Sequence, residues 1–105
     1  MRRVTRYIML LARHIDHKGL RLLYAKGDRS KVRADWADKI ERILAALSVA
    51  CAPEELDIPG YAFHELKTPR KGTFAITVSG PYRITFKWRS EGPYDVDLEN
   101  YHHGR

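Results

Sequence analysis

The chain has 105 residues, 44% of them hydrophobic and 30% charged, which is typical of one folded domain and excludes a disordered chain. Its 19 Lys and Arg exceed its 13 Asp and Glu, and the formal net charge of +6 favours an anionic partner such as nucleic acid. The single cysteine excludes an internal disulfide and a disulfide-stapled secreted scaffold.

The N-terminal stretch is basic at its start and apolar over residues 7–12. That apolar run is too short for a membrane span or a signal-peptide core, so it predicts a first strand. We expect residues 1–105 to form a single domain, in which residues 1–8 are either disordered or an over-extended start.

A first helix is predicted over residues 17–26 (HKGLRLLYAK), where leucines recur at helical spacing. Asp16 is the candidate N-cap, and Gly27 is a natural residue to end the helix. Gly19 weakens the helix, so we expect it to be short.

A second helix is predicted over residues 34–51, because apolar side chains recur there every 3.6 residues. Pro53 ends it. Trp36 and Cys51 lie on the apolar stripe, so we expect both in the core rather than in a base-stacking or nucleophilic role.

After Pro53 the pattern changes to period two. Strands are predicted over residues 61–66, 73–79, 82–88 and 94–99, with Tyr94, Val96 and Leu98 on one apolar side of the last strand. The prediction is an α+β fold, in which an N-terminal strand and two helices pack on one face of a small antiparallel sheet.

The opposite, polar face of this sheet carries the candidate functional residues. Cross-strand ion pairs best explain Lys87 and its acidic neighbours on the last strand. Arg83 is expected near residues 99–101, at the far end of that strand. A basic loop, HELKTPRKG, joins the same face and carries four basic residues: His64, Lys67, Arg70 and Lys71. This combination predicts a positive patch able to hold a phosphodiester.

Metal-free cleavage of RNA requires a group that takes the proton of the 2′-hydroxyl, a cation for the developing charge, and an acid for the leaving oxygen. Six residues of this face have suitable side chains: His64, Lys67, Arg70, Arg83, Tyr101 and His102. The sequence has no set of His, Cys, Asp and Glu at metal-ligand spacing, so we expect neither a metal nor another cofactor.

Three motifs occur in order: H-x-L-K at residues 64–67, R-I-T-F at 83–86 and E-x-Y-H at 99–102. With the sequence around them, from about His17 to His102, they resemble the HigB branch of the RelE/ParE superfamily, the toxins of type II toxin–antitoxin modules. The resemblance implies a sheet with two helices packed on it. It also implies a cytoplasmic endoribonuclease that cuts mRNA on the ribosome. Its partners would be the ribosome, mRNA and a helix-turn-helix antitoxin of the HigA type, with no membrane partner.

The resemblance also implies roles for individual residues. The catalytic set would be His64, Lys67, Arg83, Tyr101 and His102, in which Arg83 holds the scissile phosphate and the Tyr-His pair does acid/base work. The set that binds RNA would be Arg70, Lys71 and Asn100.

The chain departs from the family pattern at two places. Pro81-Tyr82 stands where the family usually has Asn-Trp, and Asn100 stands where it usually has an acid. An amide cannot take up a proton, so a catalytically weakened toxin that still binds its antitoxin is one alternative. Another is a non-enzymatic binder of DNA gyrase of the ParE type. The Tyr-His end and the H-x-L-K loop argue against that binder.

Overall fold

The computed structural model describes residues 10–100. The expectation for residues 1–8 and the first part of the predicted N-terminal strand therefore lie outside the described residues. The described part of that segment does not form a strand, because Ala12–His14 is a turn of 3-10 helix. Directly after this turn, Ile15 pairs with Val96 of the sheet through an isolated parallel bridge.

Helix α1 runs over Lys18–Lys26, close to the predicted range. The expected N-cap is wrong: the side chain of His17, not Asp16, caps the helix, because its Nδ1 accepts from the backbone N–H of Leu20 at 3.2 Å. Gly27 ends the helix with φ +68°, a left-handed conformation that glycine adopts without strain.

Helix α2 runs over Ala34–Val49, two residues shorter than predicted. Because the helix ends at Val49, Cys51 leaves the apolar stripe and is exposed, so its predicted core position is wrong. Pro53 begins a short 3-10 helix, Pro53–Leu56. Trp36 is half-buried and packs against the core, as predicted.

Four antiparallel strands follow, in the order β1-β2-β3-β4: His64–Glu65, Thr73–Ser79, Tyr82–Arg89 and Gly92–Asn100. Strand β1 is shorter than predicted, and the sheet reaches residue 61 only through a hydrogen bond from the Thr77 N–H to the Tyr61 carbonyl, 2.8 Å. The predicted α+β class, with two helices packed on a small antiparallel sheet, is confirmed.

The core lies between the helices and one face of the sheet. Its fully buried side chains include residues of α1, α2, β2, β3 and β4: Leu20, Ile40, Ile43, Leu47, Ile76, Ile84, Phe86 and Val96. Among residues 10–100 no helix is long and apolar enough to cross a membrane.

A β-bulge on β4 changes which side chains share a face. Thr85 pairs with Asp97, but Lys87 pairs with Tyr94, so Asp95 and Val96 together lie opposite one residue of β3. Asp95 adopts φ +51° at this point. The predicted alignment of Tyr94 with Val96 is therefore wrong, because the bulge turns Tyr94 to the polar face beside Lys87.

Candidate active site

The polar face of the sheet, called the open face below, follows from the strand register. Paired residues in an antiparallel sheet point to the same side. One row across the sheet joins His64, Ala75, Thr85 and Asp97, and the next row joins Thr77, Arg83 and Glu99. Adjacent strands lie about 4.8 Å apart and alternate residues about 7 Å apart, so the α-carbons of His64 and Arg83 are separated by about 12 Å. His64 and Arg83 therefore lie on the same face, two strands and one row apart.

Arg83 lies at the end of β3 that is nearest the β2–β3 turn. Its Nη1 donates to the carbonyl of Gly80 at 2.7 Å, which holds the guanidinium at this end of the sheet. Its cross-strand partner is Glu99. The prediction that Arg83 lies near residues 99–101 is confirmed for residue 99 by this register.

The basic loop is bonded across the open face. Arg70 lies between β1 and β2, yet it donates from Nη1 and Nη2 to the two carboxylate oxygens of Glu99 on β4, both at 2.8 Å. The hydroxyl of Thr85 donates to the same carboxylate at 2.5 Å. These two hydrogen bonds link the loop to the last strand.

This arrangement keeps Glu99 ionised. Hydrogen bonds from Arg70 lower the pKa of the Glu99 carboxyl, partial burial opposes them, and the Thr85 hydroxyl adds to the lowering. Charge-assisted bidentate pairs of this kind are among the stronger hydrogen bonds in proteins. The Glu99 carboxylate is therefore an acceptor held in one geometry rather than a proton donor at neutral pH.

The other predicted residues of the loop and β1 are exposed. The Nδ1 of His64 lies 2.9 Å from the carbonyl of Ala62. Lys67 is exposed, and its backbone carbonyl accepts from the N–H of Arg70 at 2.8 Å. Lys71 is 3.8 Å from Glu65, an exposed ion pair of small energetic weight.

Asn100 ends β4 on the opposite side of the strand from Glu99. Its Nδ2 donates to the hydroxyl of Tyr82 at 3.3 Å, and the ring of Tyr82 packs against Trp36 with centroids 4.6 Å apart. The strand end is thus anchored to α2. Tyr101 and His102, predicted as acid/base elements, lie outside the described residues, and so does His103.

Within residues 10–100 no three His, Cys, Asp or Glu side chains are grouped so that they could hold a metal ion. The ion pair predicted for Lys87 is present, with Asp95 at 3.7 Å. Arg89 stacks over the ring of Tyr94, 4.0 Å from its centroid, on the same face.

Two residues of this region were not singled out from the sequence. Both appeared there only as parts of motifs, Glu99 in E-x-Y-H and Thr85 in R-I-T-F. The hydroxyl of Thr85 is buried on the polar face, and the residue is only 1% exposed. Strand alternation places both residues on the open face. No local pattern indicates that Glu99 bonds to Thr85, 14 residues away in sequence, and to Arg70, 29 residues away.

Comparison with known proteins agrees with the motifs. A family model described as the RelE-like toxin of the type II toxin–antitoxin system HigB matches residues 13–102. The chain is also similar to Endoribonuclease HigB of Proteus vulgaris, with 38% identity over 92 residues, which covers 88% of this chain and 100% of that relative.

Proposed function

The chain belongs to the HigB-like family of RelE-like toxins from type II toxin–antitoxin systems, and from this premise we propose that it is an endoribonuclease that cuts mRNA on the ribosome without a metal ion. As a type II toxin it has an antitoxin partner. We propose that this antitoxin is a helix-turn-helix protein of the HigA type. The name of the similar Proteus vulgaris protein supports the endoribonuclease activity.

The proposed reaction is an intramolecular transesterification of the RNA. The 2′-oxygen attacks phosphorus and forms a cyclic 2′,3′-phosphate, while the bond from phosphorus to the 5′-oxygen breaks. The proton of the 2′-hydroxyl passes to a general base, and the leaving 5′-oxygen receives a proton from a general acid. His64, Tyr101 and His102 supply these two functions.

The charge that develops on the phosphoryl oxygens is stabilised by Lys67 and Arg83. The observation that carries this proposal is the register of β3 and β4, in which Arg83 is opposite Glu99 and the preceding Tyr82 is opposite Asn100. This register supports a site in which Arg83 contacts the scissile phosphate on the open face, near the end of β4.

Binding of the RNA strand falls to the residues around this site. Lys71 has a side chain that is 75% exposed and is available to a backbone phosphate. Asn100 is exposed at the end of β4 and its amide can both donate and accept, although its side chain lies on the other side of the strand from Glu99 and its Nδ2 donates to the Tyr82 hydroxyl. Arg70 belongs to the same surface, although its guanidinium bonds to Glu99.

The test is cleavage of a defined mRNA in a translating extract, together with growth arrest on induction in cells. Lys67→Ala, Arg83→Ala and His102→Ala are each expected to lower the cleavage rate by about 100-fold or more. Lys87→Ala is the matched control, because Lys87 is a basic residue on the same strand and face as Arg83 but pairs with Asp95.

The three variants also separate the alternatives. If all three arrest growth as wild type does, the proposed site is wrong. Intact message together with inhibited DNA gyrase would support a non-enzymatic binder instead. The wild-type protein could also bind its antitoxin but cleave mRNA slowly even when the toxin is in excess. That result would support a catalytically weakened toxin, the alternative suggested by Asn100.

A further inference from the structure

We propose that Glu99 is a positioning residue, which fixes the Arg70 loop (residues 66–72) over the open face so that Lys67 stays beside the scissile phosphate. This inference rests on the proposed function. It goes further by assigning a role to Glu99 and by changing the role of Arg70 from a contact with RNA to a structural tether.

The geometry of the loop makes a tether necessary. Its base is held by backbone hydrogen bonds, from the Leu66 N–H to the Thr73 carbonyl at 2.8 Å and from the Thr73 N–H to the Arg70 carbonyl at 3.0 Å. These bonds close the base of the loop, but they do not fix the position of the rest of the loop relative to the sheet. The bidentate contact between Arg70 and Glu99 fixes that position, because it connects the loop to β4, which lies two strands away from β2.

Fixing Arg70 also fixes Lys67. The backbone N–H of Arg70 donates to the carbonyl of Lys67 at 2.8 Å, so the two residues belong to one tight turn. Lys67 is exposed, and it forms no salt bridge with any residue of the described range 10–100. The carboxylate of Glu99 thus acts on the substrate indirectly, through the position of the Lys67 ammonium.

We expect the contact between Arg70 and Glu99 to persist when RNA is bound. A phosphate also accepts two parallel hydrogen bonds from a guanidinium, so RNA competes with Glu99 for Arg70. However, the Glu99 side chain is only 24% exposed and is held from below by the buried hydroxyl of Thr85. Withdrawing Arg70 would leave a partly buried carboxylate opposite Arg83 with fewer donors, and removing one partner of such a pair is costly.

The test compares Glu99→Gln and Arg70→Lys with a matched control, Asp95→Asn. Glutamine keeps the size of the side chain but cannot form the charged bidentate pair, and lysine keeps the charge but loses the fork. Asp95 lies on the same strand and pairs with Lys87 at 3.7 Å. Its φ of +51° is one that asparagine tolerates, so the control variant leaves the backbone unstrained.

The first measurement is single-turnover cleavage of mRNA on ribosomes as a function of toxin concentration. A small displacement of a positioned group can cost about 100-fold in rate, so Glu99→Gln and Arg70→Lys are expected to lower the rate at saturating toxin by about 10- to 100-fold. The half-saturating concentration should change by less than about threefold, because uniform binding is kept. Asp95→Asn should match wild type in both quantities.

The second measurement does not depend on activity. Amide hydrogen exchange in the free toxin should be faster at Arg70 and Thr73 in Glu99→Gln than in wild type or Asp95→Asn, because the loop loses its tether. The double variant Glu99→Gln/Arg70→Lys should cleave no more slowly than the slower single variant, since both changes remove the same contact.

Three results would overturn the inference. The first is wild-type cleavage by Glu99→Gln, the second is unchanged exchange at Arg70 and Thr73, and the third is an effect on the half-saturating concentration alone. The last would mean that Arg70 binds RNA directly. If instead Lys67→Ala and Arg83→Ala cleave as wild type does, the proposed function fails, while the exchange data still report whether Glu99 holds the loop.

Discussion

The buried hydroxyl of Thr85 offers a direct measure of how strongly Glu99 is held. Thr85 is 1% exposed and donates to Oε2 of Glu99 at 2.5 Å. Thr85→Val replaces the hydroxyl by a methyl group of similar size, so the shape of the site is kept and the hydrogen bond is lost. Arg70 still bonds to both oxygens of the carboxylate in the variant.

The magnitude follows from two opposing contributions. A hydrogen bond to a charged group stabilises a fold by about 1.5–3 kcal/mol, while burying an additional methyl group contributes about 0.8 kcal/mol. We therefore expect Thr85→Val to lower the free energy of unfolding by about 1–2 kcal/mol at pH 7. In a domain of about 100 residues this corresponds to a fall in Tm of about 5–15 °C.

The same difference should depend on pH in a defined direction. The pKa of Glu99 in the folded protein is below its ordinary value of 4.5, so its ionised form stabilises the fold above pH 4.5. That contribution is lost as the pH falls through the lowered pKa. Thr85→Val raises this pKa again, so the difference between wild type and variant should be constant near neutral pH and shrink in acid.

Urea denaturation followed by the fluorescence of Trp36 and Trp88 measures the difference at neutral and at acidic pH. Thr77→Val is the control, because Thr77 lies half-buried on the same face and forms no side-chain hydrogen bond within the described residues. Equal stability of Thr85→Val and wild type at pH 7 would refute the reasoning. A difference that stays the same in acid would refute its assignment to the ionised carboxylate.

Two further predictions concern helix α1 and the segment that follows helix α2. Gly19→Ala should destabilise the protein by about 1–3 kcal/mol in the same urea experiment, because a Cβ at Gly19 would lie 2.6 Å from the carbonyl oxygen of Lys31 and the clash outweighs the helix propensity of alanine, about 1 kcal/mol. A more stable variant would contradict this. Cys51 is exposed, so it should react with a thiol reagent in the native protein without loss of cleavage, and protection until unfolding would show that Cys51 is buried.

Most of the fold could be predicted because its signals are local. The 3.6-residue period gave helix α2, and strict alternation gave β2 and β3 to within a residue. The failures arose where a distant contact or a helix end decides the outcome. Cys51 is exposed because α2 stops two residues early, and the cap of α1 came from His17 because its ring, rather than the Asp16 carboxylate, reaches the Leu20 N–H.

The candidate site was predictable in composition but not in its connections. The basic loop, Arg83 and the end of β4 were all recognised from residue types and motifs. The contact between Arg70 and Glu99 joins positions 29 residues apart, and no sequence period reports such a pair. The alternation of apolar and polar residues does not reveal the bulge at Asp95 either. One inserted residue moves the side chains on one side of the bulge, such as Tyr94, to the other face of the sheet and leaves those on its other side unchanged.

The pairing of Arg70 with Glu99 also explains how a carboxylate can lie on a face that we propose to bind RNA. An unpaired Glu99 would repel a phosphate held by Arg83, since the two residues are cross-strand neighbours and lie well within the screening length of about 8 Å at physiological salt. Arg70 cancels that charge. Among the contacts of Arg83 is a hydrogen bond from its Nη1 to the carbonyl of Gly80, which holds the guanidinium at this end of the sheet. Because Arg70 pairs with its charge, Glu99 does not oppose the binding of a phosphodiester at the site proposed beside Arg83.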